Sequence, residues 1–268
     1  MTLENEQAST ITRERPDIRP PAKDDLPLVK AAVRGAAGHE PVASYRHSVV
    51  FLGIAALVVL LGYMAQHRQV EGGGLTESHA NVIPIYLSAT FMNWLLVWFV
   101  WRGTRRRGVG FLALIRGRWA GVRDVARDVG IALGCWGVLL AIVWALSWMV
   151  GQGGEKSLEL LLPQTPGEVL AWLVTSASAG FCEELVFRGY VQRQLLALTQ
   201  RGSLAVLGQG IVFGMMHAYQ GWRPVLHICA IGIFLGVVAV WRKSLRVGMI
   251  VHGWQDVWAG WLSGMILR

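Results

Sequence analysis

Charge is scarce in this chain: only 16% of its 268 residues are Asp, Glu, Lys or Arg, against about a quarter in an ordinary soluble domain. That shortage excludes a water-facing surface of normal polarity. Cysteine is scarce too, with Cys135, Cys182 and Cys229 all inside apolar stretches. With no CxxC pair, neither a disulfide framework nor a cysteine-held zinc site is indicated, and the thiols read as small buried hydrophobes. The zinc-protease pattern HExxH is missing as well. A secretory-signal pattern is also lacking: residues 1–47 are polar and precede the first apolar run, so that run is expected to persist as a transmembrane helix.

What the chain has instead is apolar length. It is 53% hydrophobic with 13 Trp, and its mean hydropathy is +0.42. The runs 48–64, 82–101 and 129–150 contain no charge, and each approaches the ~20 residues a helix needs to cross a ~30 Å hydrocarbon layer. Four further apolar segments, 168–190, 203–220, 224–241 and 246–266, are shorter or interrupted by polar residues. The expected fold is all-α and polytopic, with about seven transmembrane helices. Residues 1–47, with seven acidic and seven basic side chains, are expected to be a disordered tail. Residues 48–166 then hold three spans and an arginine-rich segment, and 167–268 a four-helix core.

Loop charge predicts orientation. Residues 102–128 carry eight arginines and two aspartates; the later loops on the same side hold Arg193 and Arg201, then Arg242, Lys243 and Arg246. The alternate loops offer only Arg68, Lys156 and Arg223. With seven spans the positive-inside rule makes the basic side, and the N-terminus, cytoplasmic. The protein is expected in a membrane, the bacterial plasma membrane being the natural host. In the arginine-rich segment, Phe111, Leu112, Leu114, Ile115, Trp119 and Val122 suit an interfacial helix. Its expected partner is anionic lipid rather than nucleic acid.

The last four segments place Glu183, Glu184, His217, His227, His252 and Asp256 at membrane depth. Each is costly there unless paired or hydrated, so each is a functional candidate. Glu184 and Arg188 are four apart and share a helical face, so they are expected to pair near the helix end. Glu183 then points elsewhere. Phe213 and His217, and likewise His252 and Asp256, have the same spacing. The plainer readings are a boundary ion pair, a packing histidine and a structural His–Asp bond. His227, near Pro224, reads as structural. Glycines four apart (Gly210 and Gly214, Gly232 and Gly236, Gly260 and Gly264) let helix backbones approach closely.

The order EExxxR, FxxxH, HxxxD in "EELVFR", "FGMMH" and "HGWQD" resembles the CPBP family of CAAX proteases and bacteriocin-processing (Abi) intramembrane peptidases. The type II CAAX prenyl endopeptidases are its best-known branch. The resemblance spans roughly residues 167–266. It implies hydrolysis of a peptide bond in a membrane-associated or lipidated substrate, with Glu183 activating water and His217 helping to hold it. His252 and the residue at 256 would face the carbonyl oxygen. Glu184, Arg188 and Phe213 would support the site. Asp256 stands where prenyl endopeptidases have Asn, so its role is altered: a protonated carboxyl, an orienter of His252, or a metal ligand. His217, His252 and Asp256 are also the candidate ligands of a zinc ion, and glutamate and zinc chemistry both stay open. A catalytically inactive scaffold and a proton-coupled transporter are the competing functions. Counted along straight helices, His252 should lie about 10 Å shallower than His217, so convergence needs bent or shortened helices.

Overall fold

The computed structural model describes residues 40–71, 81–151 and 162–266, with the side chains of 65–71 and beyond 260 excepted. The tail reading for residues 1–39 lies outside the described residues. All seven apolar segments are helical, and no strand occurs among the described residues. In chain order the helices are α1 (Tyr45–Glu71), α2 (Ile83–Arg105), α3 (Phe111–Ile115), α4 (Val122–Val150), α5 (Pro166–Glu183), α6 (Gln192–Thr199), α7 (Gly202–Met215), α8 (Trp222–Arg242) and α9 (Arg246–Ile266). A π-helical stretch, Glu184–Val191, joins α5 to α6 without a break.

Among the described residues, five stretches are long and apolar enough to cross a bilayer, including the 34-residue run Pro166–Thr199. The 14-residue α7 is shorter. Large side chains such as Trp144 (72% exposed) and Trp148 (82%) cover the outside, an arrangement suited to lipid rather than water. The protein is an all-α polytopic membrane protein.

Two sequence expectations change here. Order begins before residue 48: Val42 and Ala43 are in the core, and α1 starts at Tyr45. The cause is a clamp made from distant residues. The Gln194 amide accepts from Ala43 N (3.2 Å) and donates to Ala43 O (3.1 Å), and it also donates to Ser48 Oγ (2.6 Å). His47 lies between Tyr190 Oη (2.8 Å) and Phe99 O (3.0 Å), in space left by Gly103. The interfacial helix, for its part, has only five residues, Phe111–Ile115, and Leu114 turns into the core.

The start of α5 is set locally. Thr165 caps it, Pro166 supplies the fixed φ of its first turn, and Glu168 completes a capping box. The α5 helix packs on α2 and α9, while α7 packs on α8. Glycine makes both crossings close. A Cβ on Gly180 would lie 2.6 Å from Gly253 N, and one on Gly210 2.9 Å from Ile233 N. Backbone cannot yield as a side chain can, so Gly180→Ala is expected to destabilise the protein by roughly 2 kcal/mol. Thermal unfolding in detergent checks this against Gly134→Ala, where a Cβ meets nothing within 4 Å and no loss is expected.

Asp128, 1% exposed, ties the arginine-rich segment to α8 and α9. It accepts from Trp119 Nε1 (2.9 Å) and Arg242 Nη2 (3.1 Å), and Arg246 Nε stands 3.3 Å away.

Candidate active site

The centre of the site is a buried ion pair. Glu184 Oε1 and Arg188 Nη1 are 2.7 Å apart, with both side chains fully excluded from the surface. Arg188 Nη2 donates to Gly232 O (3.1 Å), and its guanidinium lies 4.5 Å from the centre of the Phe213 ring. The pair is therefore not at a helix end, as its spacing suggested. It sits midway along a continuous helix, in the π-helical stretch whose eight residues are all buried. Widened turns of this kind recur at functional sites. The room for Glu184 comes from Gly248, where a Cβ would stand 2.8 Å from Glu184 Oε2.

Glu184 has a second partner that spacing could not reveal. Its Oε1 accepts from His252 Nδ1 (3.0 Å). This bond orients the imidazole and leaves Nε2 facing the two other acids, Glu183 Oε2 and Asp256 Oδ2, each at 3.7 Å. Those separations are too long for direct hydrogen bonds. The acids grade outward: the Glu184 side chain is 0% exposed, Glu183 16% and Asp256 33%. Glu183 has no arginine partner among the described residues. The reading of both glutamates as boundary pairs with arginine does not hold.

Asn93, on α2, was not singled out from sequence. Its Nδ2 donates to Glu183 Oε1 (3.3 Å). A lone Asn in an apolar run was the available signal, but nothing local connects it to a residue 90 positions later. The α2 helix is brought there by Thr90 Oγ1 against Thr175 Oγ1 (3.0 Å) and by Trp94 stacked on Phe181 (5.8 Å). Asp256 is held through its backbone, whose carbonyl accepts from Trp172 Nε1 (3.0 Å).

His217 lies just past the end of α7 rather than on it. Its Nδ1 donates to Phe213 O (3.0 Å), which leaves Nε2 as the outward nitrogen. The Phe213 ring contacts both histidines edge-on, 5.2 Å from His217 and 5.7 Å from His252, centre to centre. The shortened α7 thus brings the two motifs against one ring. Among the described residues, His217 makes no hydrogen bond or ion pair with Glu183, His252 or Asp256. Tyr219 stacks on His217 (6.2 Å). His227 stands apart, bonded to Ser147 Oγ (3.0 Å) and Arg223 O (2.8 Å).

The donors do not fit a zinc site as they stand. Among the described residues no three His, Cys, Asp or Glu side chains gather at metal-binding spacing. His252 Nδ1 is committed to Glu184, and His217 Nδ1 to Phe213 O.

No curated protein and no solved structure matches this chain. Residues 165–258 match the family model described as type II CAAX prenyl endopeptidase Rce1-like. That stretch, which contains Glu183, Glu184, His217, His252 and Asp256, is thus similar to the CAAX protease family.

Proposed function

We propose that the protein is an intramembrane endopeptidase in which Glu183 is the general base for a water that attacks the peptide carbonyl. One observation carries this reading. Of the two adjacent glutamates, Glu184 is fully buried and shared between Arg188 and His252, while Glu183 is partly open and faces His252 Nε2. The first holds the site together, and the second can exchange a proton with an incoming group.

In the proposed sequence Glu183 takes the proton from water as its oxygen bonds to the carbonyl carbon. The developing oxyanion accepts a hydrogen bond from Nε2 of a doubly protonated His252, whose Nδ1 donates to Glu184. The proton on Glu183 then passes to the leaving amine. Asp256 orients His252 from the more exposed side, in place of the Asn that donates directly in prenyl endopeptidases. His217, with Nδ1 engaged, offers Nε2 to the water or the substrate. A membrane-associated or lipidated protein is the proposed substrate class, processed at the cytoplasmic side. The N-terminus and the arginine-rich loop are proposed to lie on that side too.

The test compares membrane proteomes of cells carrying wild-type protein or Glu183→Ala at equal levels. A cleavage product present only with the wild type supports the reading. Identical proteomes with an intact phenotype would instead indicate a scaffold, and loss of solute uptake without any cleavage a transporter. Activity of purified protein surviving strong chelation is expected from glutamate chemistry; loss restored by zinc would refute the metal-free mechanism.

Asn93 is proposed to position Glu183 for this step. Asn93→Leu is expected to lower kcat about tenfold, in line with the loss of one hydrogen bond to a charged group, with KM little changed. Asn93→Gln should recover part of the rate, and unfolding in detergent should be near normal for both. A rise in KM alone would assign Asn93 to substrate binding instead.

A further inference from the structure

A cavity of about 810 Å³ lies beside the α5–α9 crossing, and no Asp or Glu is among its lining residues. Leu112, Phe181, Met249, Ile250, Trp254 and Val257 form apolar walls, and Arg118 and Arg246 also line it. The volume is that of a small-molecule site, and the layout is that of an amphiphile. Arg246 and Val257 are separated by roughly 16 Å along α9 at 1.5 Å per residue. That matches about half of a ~30 Å hydrocarbon layer, the depth of one leaflet.

The charged end is not neutral. Buried Asp128 faces Arg242 and Arg246, and Arg127 stands 3.9 Å from it but only 3.3 Å from Asp124, so two carboxylates meet three arginines before Arg118 is added. Positive charge is left over. Arg246, which lines the cavity, keeps Nη1 buried without a hydrogen-bond partner. Arg118 is exposed and makes no ion pair among the described residues. Unused guanidinium donors in a fork geometry suit a phosphate group.

From this layout we infer that the cavity binds an anionic phospholipid of the leaflet that meets the arginine-rich segment. Its phosphate sits between Arg118 and Arg246, and one acyl chain runs between α5 and α9. The bound lipid would brace the helix pair that carries Glu183 and His252. The site involves neither of those side chains, so its test does not depend on proteolysis.

Native mass spectrometry of the full chain in detergent provides it, with phosphatidylglycerol or phosphatidylethanolamine of identical acyl chains as the probes. Preferential retention of phosphatidylglycerol is expected. Arg118→Gln should weaken that retention about fivefold, the effect of one arginine at an anionic surface, and leave phosphatidylethanolamine unchanged. Ala177→Phe, which adds bulk at another lining position, should weaken retention of both lipids. Arg246 is left intact, because it also holds Asp128. Equal retention of the two lipids by the wild type overturns the proposal, as does phosphatidylglycerol retention that either substitution fails to weaken. Retention of a farnesylated peptide instead of phosphatidylglycerol, lost in Ala177→Phe, gives the cavity to substrate and overturns it as well.

Discussion

Glu183→Gln is expected to abolish turnover, lowering kcat by about 10³-fold, within the range that a general base contributes, while leaving the helical bundle in place. The substitution keeps size and shape. A glutamine oxygen can still accept from Asn93 Nδ2, which now bonds Glu183 Oε1 at 3.3 Å, so packing should survive. What is lost is the ability to take a proton. Asp256→Asn makes the informative contrast. It installs the residue found in prenyl endopeptidases at a position already 33% exposed, and its effect should stay within about tenfold, the scale of one hydrogen bond. Rates on the product identified in the membrane proteome, with unfolding curves alongside, measure both. A Glu183→Gln protein that cuts at the wild-type rate removes the mechanism. Equal losses in the two variants would instead indicate that Glu183 and Asp256 act as one acid pair.

Arg188→Met is expected to be the most damaging substitution for stability. The Glu184–Arg188 pair is fully buried, and removing one partner strands the other charge at a cost of about 3–5 kcal/mol. The loss should spread to the site, because Glu184 also fixes His252. The double variant Glu184→Gln, Arg188→Met removes both charges and should regain a large part of the stability. It should not regain activity, since the fixed geometry of His252 goes with the carboxylate. Unfolding temperature in detergent and cleavage rate, measured on the same preparations, separate these effects. A single Arg188→Met variant as stable as the wild type would show that the pair contributes nothing to folding.

Much of the architecture was readable from local pattern. The apolar runs marked every long helix, because the bilayer requires one continuous stretch per span and tolerates few charges within it. The i,i+4 spacing of Glu184 and Arg188 implied their pairing, and the pair is present at 2.7 Å. The spaced glycines implied close crossings, and Gly210 does meet α8 by its backbone. Three ordered motifs pointed to the family that residues 165–258 match. Less was readable of how these parts meet. Helical spacing placed His217 on a helix that ends two residues earlier, at Met215. It set the ion pair at a helix end, whereas the chain continues helically to Thr199.

The sequence by itself determined that this is a membrane protein of helices, and which ionisable residues had to find partners inside it. Both follow from short-range rules: a minimum apolar length, and a cost for each charge within it. Tertiary structure alone decided who those partners are. Asn93 reaches Glu183 across 90 positions, His252 reaches Glu184 across 68, and Gln194 holds Ala43 across 151. Such contacts depend on helix crossings and on one π-helical stretch, and helical periodicity is silent about both. The distinct places of the adjacent glutamates, one sealed in the bundle and one open at its edge, belong to that second level.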